Sequence, residues 1–403
     1  MLSTLRTLKL FTPRPLKKSY DVVIIGGGVH GLATAYELAK RGVRNIAVLE
    51  RFYIGAGSSG RNTAIIRSNY RTSEGVAFYD ESVKIYEKLS VELGMNVMFS
   101  QRGHLTFAHT DQAITGLRVR AETNQILGVN SRVIFHDEIA KLVPALDLSD
   151  LPRYPILAAL YHPPGGVIRH DAVVWGYARA ANRLGVEIHP YTNVTGISVS
   201  NGAVKAVQTT RGEVQTGIIT NQTAGWASTI AAMVGLKLPI VSHPLQALVT
   251  EPLKPFLDPV LVSATLNCYV SQTDRGELVI GAEIDPYASY SNRSTLPFME
   301  QSASHILELL PSIGGVKVLR QWAGVCDMTP DYSPIMGTVP YMKGFVLDVG
   351  WGTYGFKAGP VSGKRIAEMI ATGRTPDIIK PFSIERFAKG NLLGEKAAAA
   401  VSH

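Results

Sequence analysis

The sequence predicts an α/β fold in two interleaved domains. Three observations carry this expectation: a strand–glycine turn–helix–strand unit over Tyr20–Glu50, a strand meander around residue 200, and a return to helical sequence near the C-terminus. All three belong to one sheet-and-helix domain assembled from discontinuous segments. The intervening stretches, roughly 70–160 and 230–320, form a second domain inserted into it.

The opening unit is read directly from pattern. Asp21–Ile25 (DVVII) is a β-branched run of the kind buried in parallel sheets, and it enters Gly26, Gly27 and Gly28 without a break. From Val29 to Arg41 the apolar positions Leu32, Ala35, Tyr36 and Leu38 recur at helical spacing, and Gly42 stops the helix. Asn45–Leu49 is the second strand, ending at Glu50. Polar turn-rich sequence over Gly55–Thr63 then gives way to a helix over Ser73–Leu93. A further helix is expected over Trp175–Leu184, closed by Gly185, with a strand over Val186–His189. Val194–Val199, Val204–Thr209 and Val214–Ile219 form a three-strand meander, with Asn201-Gly202 and Arg211-Gly212 at its turns. From Pro376 onward the chain reads as a tail that ends in the Ala397–Ala400 run.

Composition narrows the class. The chain has 403 residues, 46% of them hydrophobic and 18% charged, which suits a globular protein with a sizeable core. No apolar run approaches the roughly 20 residues of a spanning helix, so no membrane association is expected. The net charge of +8 comes from dispersed Lys and Arg, which argues against nucleic acid as a partner. Cys268 and Cys326 are far apart and have no neighbours at metal-ligand spacing. Neither a disulfide framework nor a metal site is expected, and a reducing, cytoplasmic location fits. Residues 1–19 carry Arg6, Lys9, Arg14, Lys17 and Lys18 without an acidic residue. That composition suits a mitochondrial transit peptide, but Pro13 and Pro15 interrupt any amphipathic helix and favour a basic N-terminal arm.

Gly26-x-Gly28-x-x-Gly31 lies between strand and helix, with Glu50 19 positions after Gly31 at the end of the next strand. This is the Rossmann-type dinucleotide fingerprint, and each part has a mechanical purpose. Gly26 makes the tight turn, Gly28 admits a pyrophosphate to the helix N-terminus, Gly31 allows helix and strand to touch, and Glu50 accepts hydrogen bonds from ribose hydroxyls. FAD and NAD share the fingerprint. The Gly- and Ser-rich segment from Arg51, ending in Arg61-Asn62-Thr63, favours FAD, because it suits a loop lying along an extended flavin dinucleotide.

Several separated segments resemble one family, the β subunit of heterotetrameric sarcosine oxidase, within the glycine-oxidase-like and D-amino-acid-oxidase-like flavoproteins. They are YDVVIIGGGVHGLATAYELAK (Tyr20–Lys40), GRNTAIIRSNY (Gly60–Tyr70), NVMFSQRG (Asn96–Gly103), GGVIRHDAVVWGYARAA (Gly165–Ala181), SHPLQALVTEPLKP (Ser242–Pro255) and GWGTYGFKAGPVSGK (Gly350–Lys364). The first is generic to two-dinucleotide-binding-domain flavoproteins. RHDAVVWGYAR and SHPLQALVTEP are specific to the narrower group.

The resemblance implies a discontinuous FAD-binding domain over 20–69, 161–229 and 321–380. It also implies a substrate-binding domain with an antiparallel sheet over 70–160 and 230–320, and a tail over 381–403. FAD would be held non-covalently by Gly26, Gly28, Gly31, Glu50, the Ser58-Ser59 to Thr63 loop, the backbone at Val194, and Gly352. A second flavin, FMN, would be linked through its 8α-methyl carbon to His170, with Arg320 offered to its phosphate; read without the resemblance, His170 is a helix-capping or core histidine and Arg320 an ion-pair partner. Arg67 and Lys357 match positions that pair with a substrate carboxylate in related monomeric sarcosine oxidases. Those enzymes carry an arginine three positions before Arg67, where this chain has Ala64, a departure that weakens the case for direct oxygen activation of the monomeric kind.

The expected reaction is oxidation of the C–N bond of sarcosine or a similar N-alkyl amino acid at FAD, with electrons passed to FMN and then to oxygen. The expected partners are the amine substrate and α, γ and δ subunits. Two alternatives remain: a proline or opine dehydrogenase β subunit, and a non-catalytic FAD-bearing scaffold.

Overall fold

The structure, a computed structural model, describes residues 10–395. Residues 1–9 of the expected N-terminal arm and the Ala397–Ala400 run lie outside the described residues.

Two sheets organise the chain. In the first, of nine strands among the described residues, Val22–Ile25 lies between Ile46–Leu49 and Ile219–Asn221. Glu187–His189 extends the sheet beyond Ile46–Leu49, and Met342–Val349 extends it beyond Ile219–Asn221, all in parallel. Val22–Ile25, Ile46–Leu49, Glu187–His189 and Ile219–Asn221 are buried along their length, as a parallel sheet covered on both faces requires. Helices Val29–Lys40, His170–Arg183 and Gly355–Thr372 cover one face and share a core with Leu32, Leu38, Val173 and Tyr177. Val204, Val207, Ile230 and Phe345 fill the other face.

The second sheet has eight strands among the described residues. It is antiparallel except where His104–Ala108 runs parallel to Val260–Ser263. The exception has a topological cause: a parallel pair cannot be closed by a hairpin, and these strands come from the two separate insertions, which meet along this seam. Leu105, Phe107, Leu248, Leu261 and Phe298 build its core.

Some expectations need correction. The long helix does span Ser73–Leu93: Thr72 Oγ1 accepts the Gly75 N–H, and Gly94 ends it in the left-handed region at φ 61°. However, its Val83, Tyr86, Leu89 and Leu93 pack into the core of the first domain, so the helix belongs there in packing terms. Strand Val318–Met328 pairs along Val241–Pro252, which carries the second sheet past residue 320. Helix His170–Arg183 starts at His170, ahead of Trp175, because Asp171 supplies an acidic first turn and accepts the Ala172 N–H. The third meander strand is only Gly212–Gln215. Thr216 then turns the chain, its Oγ1 accepting the Ile218 N–H, and Ile219–Asn221 joins the parallel sheet instead.

The expected tail is anchored over its described part. Phe382 is buried, and Arg386 makes a paired contact to Asp331, with Nε–Oδ2 at 2.7 Å and Nη2–Oδ1 at 2.9 Å, at side-chain exposures of 3% and 1%. Glu395 accepts the Arg71 and Thr72 N–H groups just ahead of the long helix. Among the described residues no helix is long and apolar enough to cross a membrane.

Candidate active site

The fingerprint turn leaves strand Val22–Ile25 with Gly26 at φ 117°. A Cβ on Gly31 would stand 1.9 Å from the Gly26 carbonyl oxygen, so helix and turn touch only because residue 31 has no side chain. No side chain of Gly28 can cap the helix. The hydroxyl of Ser59, from a different loop, accepts the Val29 N–H at 3.0 Å. The Glu50 carboxylate accepts N–H groups from Gly27 and Phe52, each at 2.9 Å, and retains lone pairs for a further donor.

The Ser58–Gly60 turn is fixed against the second sheet. Ser58 Oγ donates to the Val325 carbonyl at 2.9 Å, and Trp322 Nε1 donates to the Arg61 carbonyl at 2.8 Å. The loop expected to lie along the dinucleotide therefore bridges the two sheets.

One cavity of about 800 Å³ occupies the space between them. Gly26, Gly28, Glu50, Ser58, Ser59 and Thr63 line it, and so do Val194 and Gly352. Arg67 and Lys357 reach the same cavity. Gly31, His170 and Arg320 are not in its wall: Gly31 is packed inside the turn, and Arg320 is exposed on Val318–Met328 opposite Val249. His170 is half-buried at the start of its helix, its ring edge-on to Phe356 at 6.4 Å between centroids, and Phe356 does line the cavity. Burial holds the His170 imidazole below its ordinary value, hence neutral near pH 7. Ala64 also lines the cavity, with an unusual φ of 57°.

The end of the cavity at Arg67 is rich in positive charge. Arg67 is 3% exposed; its Nη1 donates to Asn69 Oδ1 at 2.7 Å, and its guanidinium lies 4.5 Å from the Tyr70 ring centre. Arg120, also buried, donates to the Asn69 carbonyl, and burial followed by the Arg67 charge pushes it down to about 9. Lys357 follows the same logic: burial first, then Arg67, lowers its ammonium to about 7. Cations crowded together away from water favour an anionic ligand.

Two histidines border this region. His162 donates from Nδ1 to the Asn130 carbonyl at 2.7 Å and accepts the Ser68 N–H at Nε2, which fixes its tautomer; burial lowers it to about 3. His104 faces the cavity, and burial together with the nearby cations lowers it well below its usual range. Tyr269 lines the cavity too. Nothing in the sequence singled out His104 or Tyr269. Each sits on an ordinary strand of the second sheet, and only the stacking of the sheets shows which face is the wall.

A parallel-sheet dinucleotide turn that opens into one cavity ending at clustered cations is the arrangement of a nucleotide-cofactor-binding protein. Comparison with known proteins makes this specific: the chain belongs to the FAD-dependent oxidoreductase (DAO) family, whose model matches residues 21–369. It is 44% identical to the sarcosine oxidase subunit beta of Rhodobacter capsulatus over 97% of this chain and 94% of that one. It is 43% identical to the corresponding subunit of an Arthrobacter species over 97% and 96%. Among solved structures, L-proline dehydrogenase from P. horikoshii superposes with a TM-score of 0.88 at 30% identity, covering 94% of this chain and all of that one. The glycine cradle, the Ser59-capped helix N-terminus and the cavity volume suit FAD.

Proposed function

We propose that this chain oxidises the C–N bond of sarcosine or a similar N-alkyl amino acid and works as the β subunit of a sarcosine oxidase-like enzyme. The carrying observation is that the half-buried Lys357 and the buried Arg67 reach the same cavity as the dinucleotide turn. In this reading Arg67 and Lys357 hold the substrate carboxylate, since a buried carboxylate needs charged hydrogen-bond donors. The wall of the second sheet excludes water and orients the amine. Gly26, Gly28 and Gly31 shape the pyrophosphate turn, Glu50 binds the ribose, and Ser58, Ser59, Thr63, Val194 and Gly352 border the rest of the dinucleotide. Bound FAD would supply the two-electron acceptor, and FMN on His170 the exit toward oxygen.

His170 suits covalent attachment because its imidazole is neutral and half-buried, and no described residue hydrogen-bonds its ring. Arg320 is exposed and available to a phosphate. Partner chains of α, γ and δ type complete the enzyme in this proposal, and the unpaired Cys268 and Cys326 fit a cytoplasmic setting.

The test is anaerobic addition of sarcosine to the FAD-loaded protein, which should bleach the visible flavin absorbance. A second reading, a proline or opine dehydrogenase β subunit, is favoured by the likeness to L-proline dehydrogenase. Bleaching by proline or nopaline and not by sarcosine would select it. A scaffold that only carries FAD would be bleached by none of them. For the second flavin, acid precipitation of the assembled enzyme should leave a fluorescent pellet that His170→Ala abolishes; a colourless wild-type pellet would refute the linkage.

A further inference from the structure

Behind the cationic end of the cavity stands a cluster of three tyrosines. Tyr70 is fully buried, and Tyr79 and Tyr354 are each 3% exposed. The rings of Tyr70 and Tyr79 stack face to face, 3.9 Å between centroids and 13° between planes. Tyr354 meets both edge-on, 5.5 Å from Tyr70 and 6.4 Å from Tyr79. Three separate segments supply them: Tyr70 lies just ahead of helix Ser73–Leu93, Tyr79 lies within that helix, and Tyr354 is the residue before helix Gly355–Thr372. Packing from three directions fixes the plane of each ring.

Both cations of the site rest on this cluster. The Arg67 guanidinium lies 4.5 Å from the Tyr70 ring centre, and the Lys357 ammonium 5.8 Å from that of Tyr354. Arg67 Nη1 also donates to the side-chain oxygen of Asn69 at 2.7 Å and to its carbonyl at 3.2 Å. The ring face and both amide oxygens are uncharged. A carboxylate in the place of Tyr70 would hold the guanidinium firmly but cancel the charge that an incoming anion needs. The negative face of an aromatic ring attracts a cation and adds no net charge. The hydroxyls of Tyr70 and Tyr79 are buried without a hydrogen-bond partner among the described residues. An unmatched buried hydroxyl costs stability, so what Tyr70 supplies here is its ring.

We infer that Tyr70 is a positioning residue for substrate binding: its ring, braced by Tyr79, holds the Arg67 guanidinium at the cavity wall and leaves the charge free for the substrate. This rests on the reading of Arg67 as a partner of the substrate carboxylate, and it carries that reading back to the residue that sets the guanidinium in place.

The test uses two ligands of matched shape that are not oxidised, pyrrole-2-carboxylate and the uncharged pyrrole-2-carboxamide. Each is titrated into the FAD-loaded protein at one pH while the flavin spectrum is followed, and the ratio of the two affinities is the readout. The wild type should prefer the carboxylate. Tyr70→Leu should cut that preference about tenfold or more, the scale of a desolvated cation–π contact, while the carboxamide binds nearly as before. Tyr70→Phe keeps the ring face and should keep the preference, with a melting temperature equal to that of the wild type or higher. If the leucine variant does not accumulate, Tyr70→Met, which fills the space without a ring, takes its place with the same expectation. The inference is overturned by a leucine or methionine variant that retains the full preference, or by one that loses both ligands equally, which would mark a merely structural role. It is overturned as well by a Tyr70→Phe variant that loses the preference, because the hydroxyl would then be the operative group. A wild type that binds the two ligands alike is a different result: it removes the carboxylate reading of Arg67 and Lys357, and the inference with it.

Discussion

Substrate-carboxylate affinity should depend on pH through Lys357. Burial and the neighbouring Arg67 lower this ammonium from 10.5 to about 7, so near neutral pH the ligand-free protein holds the proton only part of the time. A carboxylate docking on Lys357 favours the charged form, raises its value in the complex and draws a proton in. Binding is then strongest below pH 7 and weakens as pH rises through it. If only the ammonium form binds, affinity falls by about fiftyfold between pH 7 and pH 9. The assay is a spectral titration of the FAD-loaded protein with a non-oxidised carboxylate across that range. Two variants serve as controls. Lys357→Arg keeps its charge throughout and should flatten the profile. Arg67→Gln removes the second cause of the shift and should move the midpoint upward, though burial, the first cause, keeps it below 10.5. A flat wild-type profile, or an equally steep one in Lys357→Arg, would refute the assignment.

Further outcomes follow from the same structure. Because the folded-state value of Lys357 lies below its unfolded one, the unfolded chain holds the proton more tightly between pH 7 and 10.5. Lys357 therefore opposes folding at and below neutral pH, and its contribution to stability improves as pH rises through that window. Lys357→Met should raise stability at pH 7 by about 1–3 kcal/mol in thermal melts while abolishing carboxylate binding. Asp331→Ala strands the buried Arg386 guanidinium and should cost about 3–5 kcal/mol in denaturant unfolding, far more than loss of an exposed pair. Glu50→Gln should weaken FAD retention about tenfold or more in a fluorescence titration of the apoprotein, leaving the pH dependence of carboxylate binding in any reloaded protein unchanged. Gly31→Ala forces a methyl group onto the Gly26 carbonyl and should yield protein that is poorly folded or free of FAD by absorbance.

The parts legible in the sequence are those fixed by local rules. Gly26, Gly28 and Gly31 announce themselves because a turn against a helix tolerates nothing larger, and Ser73–Leu93 is bounded by a threonine cap and a left-handed glycine, both local signals. What the sequence hides depends on distant segments meeting. Asp331 and Arg386 look like ordinary surface charges until the C-terminal segment folds back. His104 becomes a cavity residue only when its strand lies beside Val260–Ser263. The sequence pattern reads a helix from Trp175, whereas the structure begins it at His170 with the acidic Asp171 in its first turn. Arg67 and Lys357 came from resemblance to relatives; the structure adds that they reach one cavity and that Arg67 acts electrically on Lys357.

The seam between His104–Ala108 and Val260–Ser263 bears on how this protein is made. Its two edges are about 150 residues apart in the chain, so a ribosome must deliver well over half the polypeptide before the wall carrying His104 can close. Until then the strand edge stands open to any other extended segment, which makes this stretch the natural place for a chaperone to engage, or for newly made chains to misassociate when synthesis outpaces folding.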